Sequence, residues 1–204
     1  GNVIHRIREM GFDEDLDDAD ARKIVQYVKD QESKGFSYEG ANASFDLVLR
    51  RALPNYEAPF ELVDFMVIVE NKRRSSFGTG WRNDGAEHPM LSEATVKVRV
   101  GSNIIHTAAE GDGPVGALDG ALRKGLIDAY PELSAIRLTD YKVRVVNEGV
   151  GTGAAVRVVI ESADDKNVWY TVGASTNILE ASWLALTDSF EWWLFKNNMI
   201  ATTG

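Results

Sequence analysis

An internal duplication constrains this chain more than any other feature. Residues 60–71 (FELVDFMVIVEN) line up with residues 136–147 (IRLTDYKVRVVN), with Leu62/Leu138, Asp64/Asp140, Val67/Val143, Val69/Val145 and Asn71/Asn147 identical and Phe65 matched by Tyr141. ATVKVRV from Ala94 aligns with AAVRVVI from Ala154, and IHTAAEGDGPVGALDGAL from Ile105 aligns with WYTVGASTNILEASWLAL from Trp169. Within each copy the apolar period is two: Val96, Val98 and Val100 alternate with Lys97 and Arg99, and Val143 and Val145 alternate with Lys142 and Arg144. That alternation predicts antiparallel strands with one dry and one wet face. Each copy therefore reads strand, strand, strand, helix, with the helix (about 113–129, then 177–196) covering the dry face of its own sheet.

Upstream, residues 1–53 read as helices. Val3, Ile4, Ile7 and Met10 end at Gly11; Ile24, Val25 and Val28 share a face of a helix over 17–34 that stops at Gly35; a third helix over 41–53 ends before Pro54. The acidic run from Asp13 to Asp20 fails as a calcium loop, because Asp18 stands where glycine is needed and Ile24 where glutamate is needed. It reads instead as negative charge at a helix N-terminus. The fold class expected is α+β: duplicated βββα units, two three-stranded antiparallel sheets each covered by a helix, preceded by a helical linker subdomain. The boundaries expected are 1–58 for the linker and 59–204 for the repeats. The polar stretch 72–91 is long for a loop in a compact domain, and is expected to be functional or mobile. The second repeat's helix is apolar nearly all round, from Ile178 and Leu179 through Trp183 and Phe190 to Leu194. It needs more than one surface to bury it, so contact with the other repeat and with a second chain, a homodimer, is expected.

A net charge of −9 argues against nucleic acid or an anionic membrane as the main partner. With no cysteine, disulfides, thiolate zinc sites and cysteine nucleophiles are excluded. No apolar run reaches the roughly 18 residues of a membrane span and no signal peptide opens the chain, so a soluble, cytoplasmic protein is expected. His5, His88 and His106 have no partners at metal-ligand spacing, and no metal or cofactor is expected in this chain. Asp64 and Asp140 are repeat-related and read as structural rather than as a catalytic pair. Gly111-Asp112-Gly113-Pro114-Val115-Gly116 has the form of a dinucleotide fingerprint, but an antiparallel hairpin precedes it where that motif needs a parallel βαβ unit. The physics beneath the motif survives. Gly111 and Gly113 permit a sharp turn, Asp112 can cap the helix, Pro114 suits its first position, and free N–H groups make an anion site. In the second repeat the matching turn, Gly173-Ala174-Ser175-Thr176-Asn177, offers hydroxyl and amide caps, with Asn177 and Glu180 resembling a capping box.

The motifs HTAAEGDGPVGALDGALRKGL, LTDYKVRVVN and WYTVGASTNILEASWLALTDSFEWWL resemble the C-terminal regulatory (dimerisation) domain of the isopropylmalate and citramalate synthase family. Residues 1–53, with YEGANASFDLVLRRAL, look like the helical linker before that domain, and DYKVRV and EASWLAL resemble the citramalate branch more than the leucine-pathway branch. The resemblance implies an allosteric sensor excised from an acyltransferase whose TIM barrel, with a divalent metal, condenses acetyl-CoA with a 2-oxo acid; no part of that barrel is expected here. It implies an effector, isoleucine in the citramalate branch or leucine in the other. The implied effector-binding residues are Gly111, Asp112, Gly113, Pro114, Val115, Leu118, Tyr141, Ala174, Ser175 and Thr176. Gly116 stands where the family pattern suggests asparagine and Ala174 where it suggests valine. A self-contained enzyme or nucleotide binder using the GDGPVG turn is the competing reading.

Overall fold

The computed structural model describes residues 3–12, 14–70, 91–146 and 154–202. The polar stretch expected to be mobile lies, apart from Leu91, outside the described residues, as do Trp81 and His88. The helices begin with α1 (Val3–Glu9), α2 (Asp18–Ser33) and α3 (Asn42–Arg51). The first repeat follows as β1 (Glu61–Glu70), β2 (Leu91–Val100), β3 (Asn103–Gly111) and α4 (Pro114–Leu126). The second is β4 (Arg137–Val146), β5 (Ala155–Ala163), β6 (Val168–Ser175) and α5 (Ile178–Lys196). Both sheets are three-stranded and antiparallel, in the order β1-β2-β3 and β4-β5-β6, so the α+β fold of duplicated βββα units is what the chain adopts. No helix among the described residues is long and apolar enough to cross a membrane.

The chain divides into two compact units, each described here by itself. Residues 60–131 and 201–204 form one; residues 1–59 and 132–200 form the other. In the first-repeat unit, α4 lies on β2 and β3 and scarcely reaches β1. Ala94, Val96 and Val98 of β2 and Leu118, Ala121, Leu122 of α4 are fully buried between them. At roughly 1.5–3 kcal/mol for each large apolar side chain, that layer is the main term holding the helix down. The duplication extends to single atoms. Thr107 of β3 donates its hydroxyl to the Ala121 carbonyl at 2.7 Å, and its repeat mate Thr171 donates to Ala185 at 2.7 Å. A β-bulge falls at equivalent places in the edge strands, between Leu62 and Asp64 and between Leu138 and Asp140. The two aspartates sit at those bulges: Asp64 pairs with Lys97 at 3.3 Å, and Asp140 accepts the Tyr141 amide at 2.8 Å. Both therefore serve the local strand geometry, as the structural reading expects.

In the other unit, α1 ends at Gly11 and α2 at Gly35, both with positive φ. Asp17 caps α2 by accepting the Asp20 amide at 2.8 Å, which gives the acidic run its helix-terminal role. The helices do not close a core alone. Ile7, Phe12, Ile24, Val28, Phe45 and Leu49 cluster with Val172 of β6, and Val159 of β5 packs against them. The second sheet is thus covered twice, by α5 on one face and by the helices on the other. Helix α3 also shields the free edge of β6, where the Val172 N–H donates to the Ser44 hydroxyl at 2.9 Å. Because α3 packs on α5 as well, part of α5's all-round apolar surface is buried within a single chain. Part of the cover expected for this helix is thus supplied by α3: a helical pattern shows that a face is buried, not what buries it.

Candidate functional site

The turn singled out by sequence, residues 111–115, is built around close approach of strand and helix. Gly111 ends β3 directly against the first turn of α4, and a Cβ there would collide with the Ala117 amide nitrogen. Gly113, the N-cap residue of α4, is different. Its backbone is extended (φ −168°, ψ 171°), open to any residue, and no atom lies within 4 Å of where a Cβ would stand. Gly116 faces open space in the same way. Pro114 takes the first helical position as expected and brings no N–H. Asp112 is exposed and does not cap: no side chain accepts from the first turn of α4, which corrects the expected capping role. A carboxylate one residue ahead of the N-cap is displaced from the amides it would have to reach. The Ala117 N–H bonds to the Gly113 carbonyl at 3.0 Å. Among the described residues the Val115 and Gly116 amides have no acceptor, so a polarised pair of donors faces outward at a helix start. Val115 is half-buried and Leu118 fully buried beside them.

The matching turn of the second repeat caps its helix with its own side chains. Asn177, the repeat mate of Gly113, caps α5 by accepting the Leu179 amide at 2.8 Å. Its own N–H donates to the Ser175 hydroxyl at 3.0 Å, and Ser175 donates to Glu180 at 2.8 Å. The expected capping box is therefore altered: Asn177 accepts from Leu179 rather than from Glu180, and Ser175 stands between the Asn177 amide and the Glu180 carboxylate. Thr176 is exposed, and Ala174 faces the opposite side of the sheet from α5, under Gly35. Tyr141 meets Ser182 of α5 at 2.7 Å; since Ser182 donates to the Ile178 carbonyl, the phenol is the donor. Residues 111–118 belong to the first-repeat unit and Tyr141, Ala174, Ser175 and Thr176 to the other.

One polar cluster escaped the sequence reading. Arg51 of α3 bonds Asp188 at 2.7 Å and Glu191 at 2.6 Å, both on α5. Tyr56 donates to Glu191 at 2.6 Å, Ser44 to Asp188 at 2.8 Å, and Trp192 to Asp46 at 2.8 Å. Burial pushes the Asp188 carboxyl up against the opposing pull of Arg51. Burial disfavours the Arg51 charge, yet the two carboxylates outweigh it and hold the guanidinium above its usual range. No local signal betrays this cluster, because its halves lie some 140 residues apart in the chain. Beside it, Lys23, Ile24, Tyr27, Val48, Arg51 and Ala52 line a mostly apolar cavity of about 280 Å³. Among the described residues no group of His, Asp or Glu side chains could hold a metal ion.

Comparison with known proteins places this architecture. Residues 39–193 match the family model described as the LeuA allosteric (dimerisation) domain. The chain is 43% identical to an (R)-citramalate synthase of Geobacter sulfurreducens over 98% of its length and 35% of that protein's. It is 40% identical to an (R)-citramalate synthase of Aquifex aeolicus, over 96% of the chain and 35% of the relative. A 2-isopropylmalate synthase of Shewanella amazonensis is more distant, at 30% over 90% of the chain and 30% of the relative. The chain thus spans about a third of the length of these relatives. With two βββα repeats preceded by helices, and a match over most of its length, this chain belongs to the LeuA allosteric (dimerisation) domain family of the citramalate and 2-isopropylmalate synthases.

Proposed function

We propose that this chain is the amino-acid-sensing and dimerisation domain of a citramalate synthase, binding isoleucine for feedback inhibition. The enzyme would be a cytoplasmic acyltransferase condensing acetyl-CoA with pyruvate on a TIM barrel, with its divalent metal, elsewhere in the same polypeptide. The observation that carries the sensor reading is the open start of α4, with two free amides, two glycines facing empty space and apolar Val115 and Leu118 alongside. A carboxylate suits the amides and a branched aliphatic chain suits the apolar residues. Tyr141, Ala174, Ser175 and Thr176 enter the proposed effector-binding residues by resemblance alone. The identities to citramalate synthases support isoleucine over leucine. Inhibition then needs only that the effector bind one arrangement of a homodimer more tightly than another.

Calorimetric titration of the chain with isoleucine, leucine and NAD tests the reading. Isoleucine is expected to bind, and leucine more weakly by about 1–3 kcal/mol, since only one methyl group is placed differently. Leucine binding at least as tightly would move the assignment to 2-isopropylmalate synthase, and NAD alone binding would return it to a nucleotide site. Light scattering is expected to give a dimer mass at micromolar concentration.

A further inference from the structure

The sequence contains three Asp-Gly pairs: Asp84-Gly85, Asp112-Gly113 and Asp119-Gly120. In such a pair the aspartate carboxyl lies within reach of the next residue's amide nitrogen, and glycine brings no Cβ to keep the two apart. The first pair lies outside the described residues. The structure separates the other two sharply. Asp119-Gly120 is locked inside α4, where the helix fixes the backbone and uses the Gly120 N–H as one of its own donors. Both Asp119 carboxylate oxygens accept from Arg123 at 3.0 Å, and the side chain is only 20% exposed. A Cβ at Gly120 would stand 3.1 Å from that of Ala109, so the strand beneath leaves little room.

Asp112-Gly113 is the reverse on each count. It precedes the helix, and Asp112 is exposed. Among the described residues neither the Asp112 carboxylate nor the Gly113 N–H has a hydrogen-bond partner. Gly113 has an extended backbone with open space where a Cβ would stand. We propose that Asp112-Gly113 is a site of spontaneous covalent modification, at which the main chain isomerises through an aspartyl imide. The Gly113 nitrogen attacks Cγ of the Asp112 carboxylic acid. An N–C bond forms, the C–OH bond breaks, and the hydroxyl leaves with the amide proton as water. Water then opens the ring. Opening at Cγ restores aspartate, whereas opening at the main-chain carbonyl leaves isoaspartate, with the chain routed through Cβ and the carboxylate on Cα. Nothing is oxidised or reduced, and water is the only co-reactant. The product lengthens the chain by one methylene between Gly111, which is held against Ala117, and the first residue of α4. This inference stands independently of the effector reading.

The test is peptide mapping by mass spectrometry of the folded chain aged in neutral buffer, beside the same chain aged in urea. The imide peptide is lighter by one water; the isoaspartyl peptide keeps its mass but elutes and fragments differently. In the folded chain, isoaspartate should accumulate at 112 about tenfold or more faster than at 119, because only the first pair can bring its reacting atoms together. In urea the two positions should react at similar rates. Gly113→Ala, which an extended and open position tolerates, should slow the reaction at 112 about tenfold, since a Cβ then hinders the approach. Asp112→Asn should react faster, with ammonia leaving in place of water, and so exposes the reaction even where aspartate is slow. Equal accumulation at 112 and 119 in the folded chain would overturn the inference, because the chemistry would then follow sequence alone. Persistence of aspartate at 112, and of asparagine in Asp112→Asn, in a folded chain that reacts in urea would overturn it as well, by showing that the turn holds the two groups apart.

Discussion

The two repeats share their strands, bulges and the threonine bond from strand to helix, but they differ in how the start of the covering helix is finished. In the second, Asn177 caps α5 through the Leu179 amide, Ser175 links the Asn177 amide to the Glu180 carboxylate, and Tyr141 is bonded to Ser182. In the first, their mates are Gly113, Gly111, Gly116, Phe65 and Leu118, which supply no polar side chain at all. The outer faces differ too. That of the second sheet buries Val172 and Ala174 beneath the N-terminal helices, whereas Met66, Ile68 and Ile104 on the first are 54%, 46% and 57% exposed. One copy has been completed as structure. The other leaves the start of its helix without a side-chain cap, and such places are where ligand chemistry is found.

The largest effects should come from the glycines at which helix and strand backbones touch. A Cβ at Gly173 would collide with the Ala181 carbonyl oxygen, and one at Gly111 with the Ala117 amide. Gly173→Ala and Gly111→Ala are each expected to cost about 3 kcal/mol or more, since two backbones must move apart. Urea denaturation measures both. A cost below about 1 kcal/mol for either would mean that the helix in that repeat is free to lift, and the two copies would not share one packing device.

Next comes the latch of α3 on α5, which only the second repeat has. Arg51→Met leaves Asp188 and Glu191 buried without their cation and should cost about 2–4 kcal/mol, less than a fully buried pair because the arginine is partly exposed. The dependence on pH has a definite sign. Burial raises the folded pKa of Asp188 above its unfolded value, so ionising it costs stability as pH rises through the folded value, and losing Arg51 enlarges that cost. The penalty of Arg51→Met should therefore shrink as pH is lowered from about 7 to about 5. A penalty that grows on acidification would mean that Asp188 is not the group left unpaired.

A smaller effect is expected at the β5–β6 hairpin. Asp164 accepts the Lys166 and Asn167 amides at 2.8 and 2.7 Å, and the Trp193 indole N–H at 2.8 Å. The Trp193 bond, with the two amides, holds the carboxyl below its usual range. The stability it contributes is present above the unfolded carboxylate value and lost as pH falls through the folded one. Trp193→Phe keeps most of the packing and should cost about 1–2 kcal/mol, with a weaker acid dependence than the parent chain. An unchanged acid limb would dissociate the indole from the titration of Asp164.

Much of this was legible because periodicity and repetition are local. Alternating valines gave the strands, and the matched motifs gave their order twice over. The turn at 111–116 was legible as a motif but not in its parts, since Gly111 and Gly113 read alike in sequence. One is required by backbone contact, and the other merely leaves space open. The sharp turn expected of Gly113 needs no glycine, because its backbone is extended. The latch of Arg51 on α5 and the cover of α3 over β6 were not legible. They join residues more than a hundred positions apart, and no spacing rule records such pairings.

The finest test of the comparison lies in the bond that the repeats share. Thr107 and Thr171 each donate to a helix carbonyl at 2.7 Å, and each carbonyl, with two lone pairs, can also serve its own helix. Replacing either threonine by valine keeps the shape and removes one donor, so the helix loses an anchor while no buried group is stranded. Each change should cost about 0.5–1.5 kcal/mol. Thr171→Val is expected to cost more, because Thr171 is fully buried and Thr107 is not, so water can replace part of what is lost only in the first repeat. Adding a saturating effector should leave the Thr171→Val penalty as it was. It should reduce that of Thr107→Val, if the ligand binds at the start of α4 and holds that helix to its sheet by a second route. Equal responses of the two variants to the effector would mean that the ligand does not distinguish the repeats, and the contrast between a finished copy and an open one would fail.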